Sequence, residues 1–182
     1  MKREITLEEY VEKLERKSRW DALRTAYENA SRRKIRLVDP DPPKTLGSYI
    51  LRLDYSAWFW TLIILTIATV GVVYASNILP ALTLIRYLLG TVYVLFLPGY
   101  VLVEALYPGE EDLKPLERLA LSIGLSLAVI PLIGLLLNYT PWGIRLDPLI
   151  MALTVYNTAL GLIAAERKHG IVRRKLSTYP SL

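Results

Sequence analysis

"SAWFWTLIILTIATVGVVYASNILPALTLI", Ser56 to Ile85, runs for thirty residues without a charged side chain. An α-helix rises ~1.5 Å per residue, so about 20 residues cross the ~30 Å hydrocarbon layer of a bilayer. A soluble helix of that length keeps a polar stripe for water, and none is present here. The stretch therefore reads as one complete crossing, a turn at "SNILP", and the start of a second. A second uncharged run, Leu119 to Ile144, repeats the signal further along the chain. Working outward from both runs gives four spans, at about 57–78, 82–106, 116–139 and 148–165. Tyr55, Trp58, Phe59 and Trp60 form an aromatic belt where the first span enters. The fold expected is all-α: a polytopic membrane protein in which charge, 21% of the 182 residues, is confined to ends and connections.

The cations set an expected orientation. Thirteen Lys and Arg precede Tyr55, two lie between Tyr107 and Arg118, and five follow Ala165. Only Arg86 and Arg145 lie on the opposite side. Positively charged loops stay in the cytoplasm, which predicts both termini inside. Basic flanks are also attracted to anionic headgroups, so membrane lipids are the first partners expected.

Before the spans, "TLEE" (Thr6–Glu9) and "SRWD" (Ser18–Asp21) fit capping boxes that open two short amphipathic helices. Leu7, Tyr10, Val11 and Leu14 share one face; Trp20, Leu23, Tyr27 and Ala30 share another. Residues 1–38 thus read as a cytoplasmic helical hairpin, too small to bury a sizeable core. Tyr10, Leu14, Trp20 and Leu23 are its expected docking face for a partner or the bilayer. Residues 39–54 hold the stiff "DPDPPK" spacer and an interfacial helix in which Leu46, Tyr49, Ile50 and Leu53 align. The span region covers 55–165, and 166–182 form a basic cytoplasmic tail.

Within the second span, "YLLGTVYVLFLPGYVLV" separates Arg86 from Glu104. Pro98 removes a backbone donor and clashes with the preceding turn, which predicts a kink near Val94 to Leu97. Gly99 lets another helix approach closely. A broken helix lining a polar cavity is the alternative; it requires polar groups converging from Thr91, Ser122, Ser126, Thr154 and Asn157. Glu104 is expected at the inner interface, paired with Arg118. Arg86, Arg145 and Asp147 are candidates for an outer polar cluster.

"FLPGYVLVEALYP" (Phe96–Pro108), the acidic loop after it, "LERLALSIGLSLAVIPLIGLLLNYTPWGIRL" (Leu116–Leu146) and "IRLVDPDPP" (Ile35–Pro43) together resemble an archaeal membrane-protein family, domain of unknown function 1616. The resemblance covers about Ile35 to Arg167. It implies a four-span unit in an archaeal cell membrane and supplies no reaction and no catalytic residues.

The chemical inventory is thin. There is no cysteine and one histidine, His169. No Ser-His-acid set, HExxH, P-loop or Gly-rich nucleotide fingerprint occurs, so no catalytic residue, cofactor or metal is assigned. Glu110, Glu111 and Asp112 with Asp39 and Asp41 could hold a divalent ion, but acids before a helix also complement its positive end. Asn138-Tyr139-Thr140 fits a glycosylation acceptor, although Pro141 and the membrane surface restrict access. Ten acids stand against thirteen bases before Tyr55, so no dominant positive field favours nucleic acid. The reading reached is a non-catalytic accessory or scaffolding subunit that meets other membrane or cytoplasmic proteins. The alternatives are an enzyme or carrier for a lipid-linked or envelope precursor, and a membrane-anchored regulator.

Overall fold

The computed structural model describes residues 6–14, 19–31, 43, 45–109 and 111–177. They form eight α-helices and one 3-10 turn, and contain no strand. The chain divides into two compact units, Met1–Pro42 and Pro43–Leu182.

The first unit pairs α1 (Leu7–Leu14) with α2 (Arg19–Ser31). The Thr6 hydroxyl accepts from the Glu9 amide at 3.2 Å, while Glu8 and Glu9 in the first turn and Lys13 in the last complement the helix dipole. Ser18, the cap expected for α2, lies outside the described residues. The small core is Val11, Ala22 and Ala26, with Tyr10 and Leu14 packed on it. On α2, alanines rather than aromatics line the seam, because short side chains let two short helices approach. Trp20 and Tyr27 are consequently left 80% and 75% exposed.

The second unit opens with α3 (Leu46–Leu51), started by a Thr45/Ser48 capping box. Arg52 is extended, and α4 (Leu53–Ala75) leaves it at a corner. The Ser56 hydroxyl, 2.7 Å from the Ile50 carbonyl, and the Trp60 indole N–H, which donates to the same carbonyl at 2.8 Å, hold that corner. After the 3-10 turn come α5 (Thr83–Leu95), α6 (Leu97–Leu106), α7 (Pro115–Asn138) and α8 (Leu146–Ser177). Four helical runs are long and apolar enough to cross a membrane: Leu53–Ala75, Pro80–Leu106, Pro115–Asn138 and Leu146–Arg174. The first begins four residues earlier than the apolar run alone indicates, because Asp54 serves its first turn. The last does not stop at residue 165; α8 continues without a break through the basic segment to Ser177.

What is buried tells which solvent surrounds this unit. Its interior holds Ser56, Thr66, Thr69, Ser76, Ser122, Ser126 and Asn157, while Ile67, Leu88, Leu136 and Val155 on the spans are exposed. A water-soluble bundle sorts residues the other way. Lipid gives no hydrophobic drive to helix pairing, so small and weakly polar residues make the close contacts. The protein is a multi-pass membrane protein. Its most enclosed helix is α6, which buries Leu97, Pro98, Gly99, Val101, Val103, Glu104 and Ala105. From α7 only Ser122, Ser126, Val129 and Leu137 are fully buried, with Ile130 and Ile133 packed part-buried on the core.

Candidate functional site

The second crossing is two helices, not one bent helix. Phe96, with φ −122° and ψ −48°, ends α5 and serves as the N-cap position of α6. Pro98 falls in the first turn of α6, where its missing N–H is harmless. The Gly99 amide, which would otherwise serve the Leu95 carbonyl, donates instead to the Ser126 hydroxyl at 2.8 Å. A neighbouring helix thus caps α6. This bond requires very close approach: a Cβ built on Gly99 would stand 1.8 Å from the Ser122 carbonyl oxygen and 2.6 Å from the Ser126 nitrogen. Ser122 turns its own hydroxyl to the Arg118 carbonyl at 2.7 Å. The two serines are the interlocking face of α7, and they fill the space where a cavity beside Pro98 would lie. Ser126→Ala removes the cap and strands a buried N–H. A loss of about 1–2 kcal/mol in unfolding free energy is expected, read by thermal denaturation in mild detergent, with Ser126→Thr retaining part of it.

At the other end of α6, Glu104 is 3% exposed. Arg118 of α7 donates to Oε1 at 2.8 Å, and the Lys168 ammonium of α8 lies 2.5 Å from Oε2. Arg118 also donates to the Tyr107 carbonyl at 3.2 Å and the Gly109 carbonyl at 3.0 Å. Arg167 donates to the Ala105 carbonyl. The carbonyls that every helix leaves unserved at its C-terminus, together with the dipole's negative end, are here met by cations from two other helices. Lys168 further stacks over the Trp58 ring, 4.3 Å from its centroid. Tyr49 packs 5.9 Å from the His169 ring, and His169 reaches the Pro43 carbonyl at 3.2 Å, so α3 joins the same junction.

Both oxygens of the Glu104 carboxylate are thus taken up by cations of other helices. The arrangement fastens helices together. Among the described residues, no three His, Asp or Glu side chains converge as metal ligands. Asp39, Asp41 and Glu110 lie outside the described residues.

The other end of the bundle is looser. Arg86 donates to the Ser76 hydroxyl at 3.2 Å, and Asp147 accepts from the Tyr74 hydroxyl at 3.0 Å. Arg86 and Asp147 thus engage different partners, both on the α4 side, and Arg145 is in the connection before α8. In the first unit, Tyr10 and Leu14 are taken up in the hairpin's own core, Leu23 is part-exposed and Trp20 open. Asn138 ends α7 and is exposed. Sequence reasoning missed Lys168 and Arg167 as partners of α6, and Ser126 as its cap. The signal available for the cations was their place just past an apolar run; nothing local marked their partner.

A family model described as Domain of unknown function (DUF8471) matches residues 64–180. None of the curated proteins and none of the solved structures matches the chain.

Proposed function

The chain belongs to this family, which brings no activity with it, and from that premise we propose a non-catalytic accessory or scaffolding subunit of a membrane complex. Its family number differs from the 1616 of the resemblance, and the archaeal cell membrane stays part of the proposal. So does the orientation with both termini in the cytoplasm, supported by the charge count. The observation that carries the reading is the Glu104–Arg118–Lys168 junction. Among the described residues, the one buried carboxylate joins three helices, and Gly99 is closed against α7. Such a unit suits a platform that holds its shape while other proteins attach.

Cross-linking with mass spectrometry on native membranes tests the proposal. Recurrent links from the spans or the hairpin to a defined protein are expected. Links confined to this chain, with a monodisperse monomer in mild detergent, would overturn it. Labelling of single cysteines placed at residues 5 and 180 should find both reactive only from the cytoplasmic face.

A second reading, a carrier or enzyme for a lipid-linked precursor, is favoured by one feature. Val70, Tyr74, Ile150, Met151, Thr154 and Val155 line an apolar groove of about 290 Å³ between α4 and α8. Selective retention of a prenyl- or acyl-linked phosphate by the purified protein would move the balance to this reading.

A further inference from the structure

Among the described residues of the second unit, five buried side-chain atoms have no hydrogen-bond partner. Two of them, Glu104 Oε2 and Trp58 Nε1, belong to side chains that Lys168 contacts. The other three are Thr66 Oγ1, Asn157 Nδ2 and Asn157 Oδ1. They belong to facing helices. The Tyr74 hydroxyl meets Asp147 near one end of the α4–α8 pair, and Phe59 and Leu62 meet Gly161 near the other. Four residues from Leu62 towards Tyr74, and four from Gly161 towards Asp147, the antiparallel register brings Thr66 level with Asn157. The third wall is α5. Tyr93, 2% exposed, shares a hydrogen bond of 2.9 Å with the Thr154 hydroxyl, one turn from Asn157. Its phenol is also close enough to Asn157 to interact with it, although its hydrogen bond is made with Thr154. Just beyond Tyr93, Pro98 has no N–H for the Val94 carbonyl, and the Gly99 N–H is committed to Ser126. Thr66 and Tyr93 both lie near the middle of their apolar runs.

Polar groups at that depth have no bulk water to turn to, and a native interior satisfies nearly all of them. What they need is fixed by their chemistry. The amide offers two donors and an acceptor, and each hydroxyl offers one donor and accepts. No charged side chain is among them. The occupant must therefore be neutral, small, and able to donate and accept at once. We infer that Thr66, Tyr93, Thr154 and Asn157 form a water-binding site at mid-depth in the bundle, bridging α4, α5 and α8. Buried waters of this kind make two to four hydrogen bonds to groups otherwise unsatisfied. The site is separate from the Glu104 junction and does not depend on the scaffold reading.

Radiolytic hydroxyl labelling tests it, because radicals born from a bound water mark the side chain beside it. The full-length protein in mild detergent is irradiated, and labelling of Tyr93 is compared with that of Phe59, which is similarly buried at 6% exposure. Tyr93 is expected to label at least threefold faster than Phe59, taking its oxygen from ¹⁸O-water only after slow exchange. Thr66→Val with Asn157→Leu should abolish that excess. Labelling of Tyr93 no faster than Phe59 in the unmodified protein overturns the inference. So does a melting temperature that rises in Asn157→Leu, since an amide without a bridge is improved by an apolar replacement.

Discussion

Gly99→Ala is expected to prise α6 from α7 and to cost about 3 kcal/mol or more. The added methyl would sit 1.8 Å from the Ser122 carbonyl oxygen and within 2.8 Å of the Ser122 carbonyl carbon. Both are backbone atoms, so no side-chain rotation relieves the clash. Real Cβ atoms do not approach closer than 3.0 Å, and α7 would have to retreat by more than an ångström. Retreat also breaks the bond from the Gly99 amide to Ser126, so a packing loss and a polar loss arrive together. Thermal unfolding in mild detergent should fall by roughly 6–12 °C for a chain of this size. Gly124→Ala is the control. A Cβ there meets nothing within 4 Å, and the change should stay within about 0.5 kcal/mol. Equal melting temperatures for the two variants would show that the α6–α7 contact is not as close as described.

The second large effect belongs to Glu104. Replacing it by Ala leaves Arg118 and Lys168, whose side chains are 18% and 17% exposed, without their shared anion. Removing one partner of a buried ion pair typically destabilises by about 3–5 kcal/mol, most of it from the charge left behind. Restoring neutrality should therefore recover stability. Glu104→Leu combined with Lys168→Met is expected to be more stable than Glu104→Leu alone. A double-mutant cycle between these positions should give a coupling above about 1 kcal/mol, changing little with added salt because the pair is shielded. A coupling near zero would mean that Lys168 is held by the Trp58 ring alone. Arg118→Lys should retain the charge but lose the fork that also serves Tyr107 and Gly109, and so rank between wild type and Ala.

These two sites were legible in the sequence to different degrees. The uncharged runs announced the crossings, because lipid penalises charge whatever the tertiary context. Pro98 announced a break, since a missing N–H is a local fact. That the break would be capped from Ser126 was not readable. Ser126 sits among leucines twenty-seven residues on, and only the helix pairing turns it inward. Lys168 was hidden for the same reason, compounded by reading residues 166–182 as a tail apart from the last span. Nothing in an apolar run states that a helix stops where its hydrophobicity does. Nor did composition identify α6 as the enclosed helix. Its Val and Leu content resembles that of α7, most of whose leucines face outward. In the hairpin, aromatic spacing pointed to a buried face, yet Ala22 and Ala26 occupy the seam, because close approach favours the smallest side chains.

The unbroken run of α8 has one more consequence. Twelve residues from Glu166 to Ser177 extend the fourth crossing by about 18 Å, at ~1.5 Å per residue. A helix does not twist or shorten appreciably along its axis, so this segment behaves as a shaft passing from oil to water. Torque applied to its wet end reaches Lys168 first, then Asn157, without a joint to absorb it. Whatever grips that end holds a handle on the whole bundle.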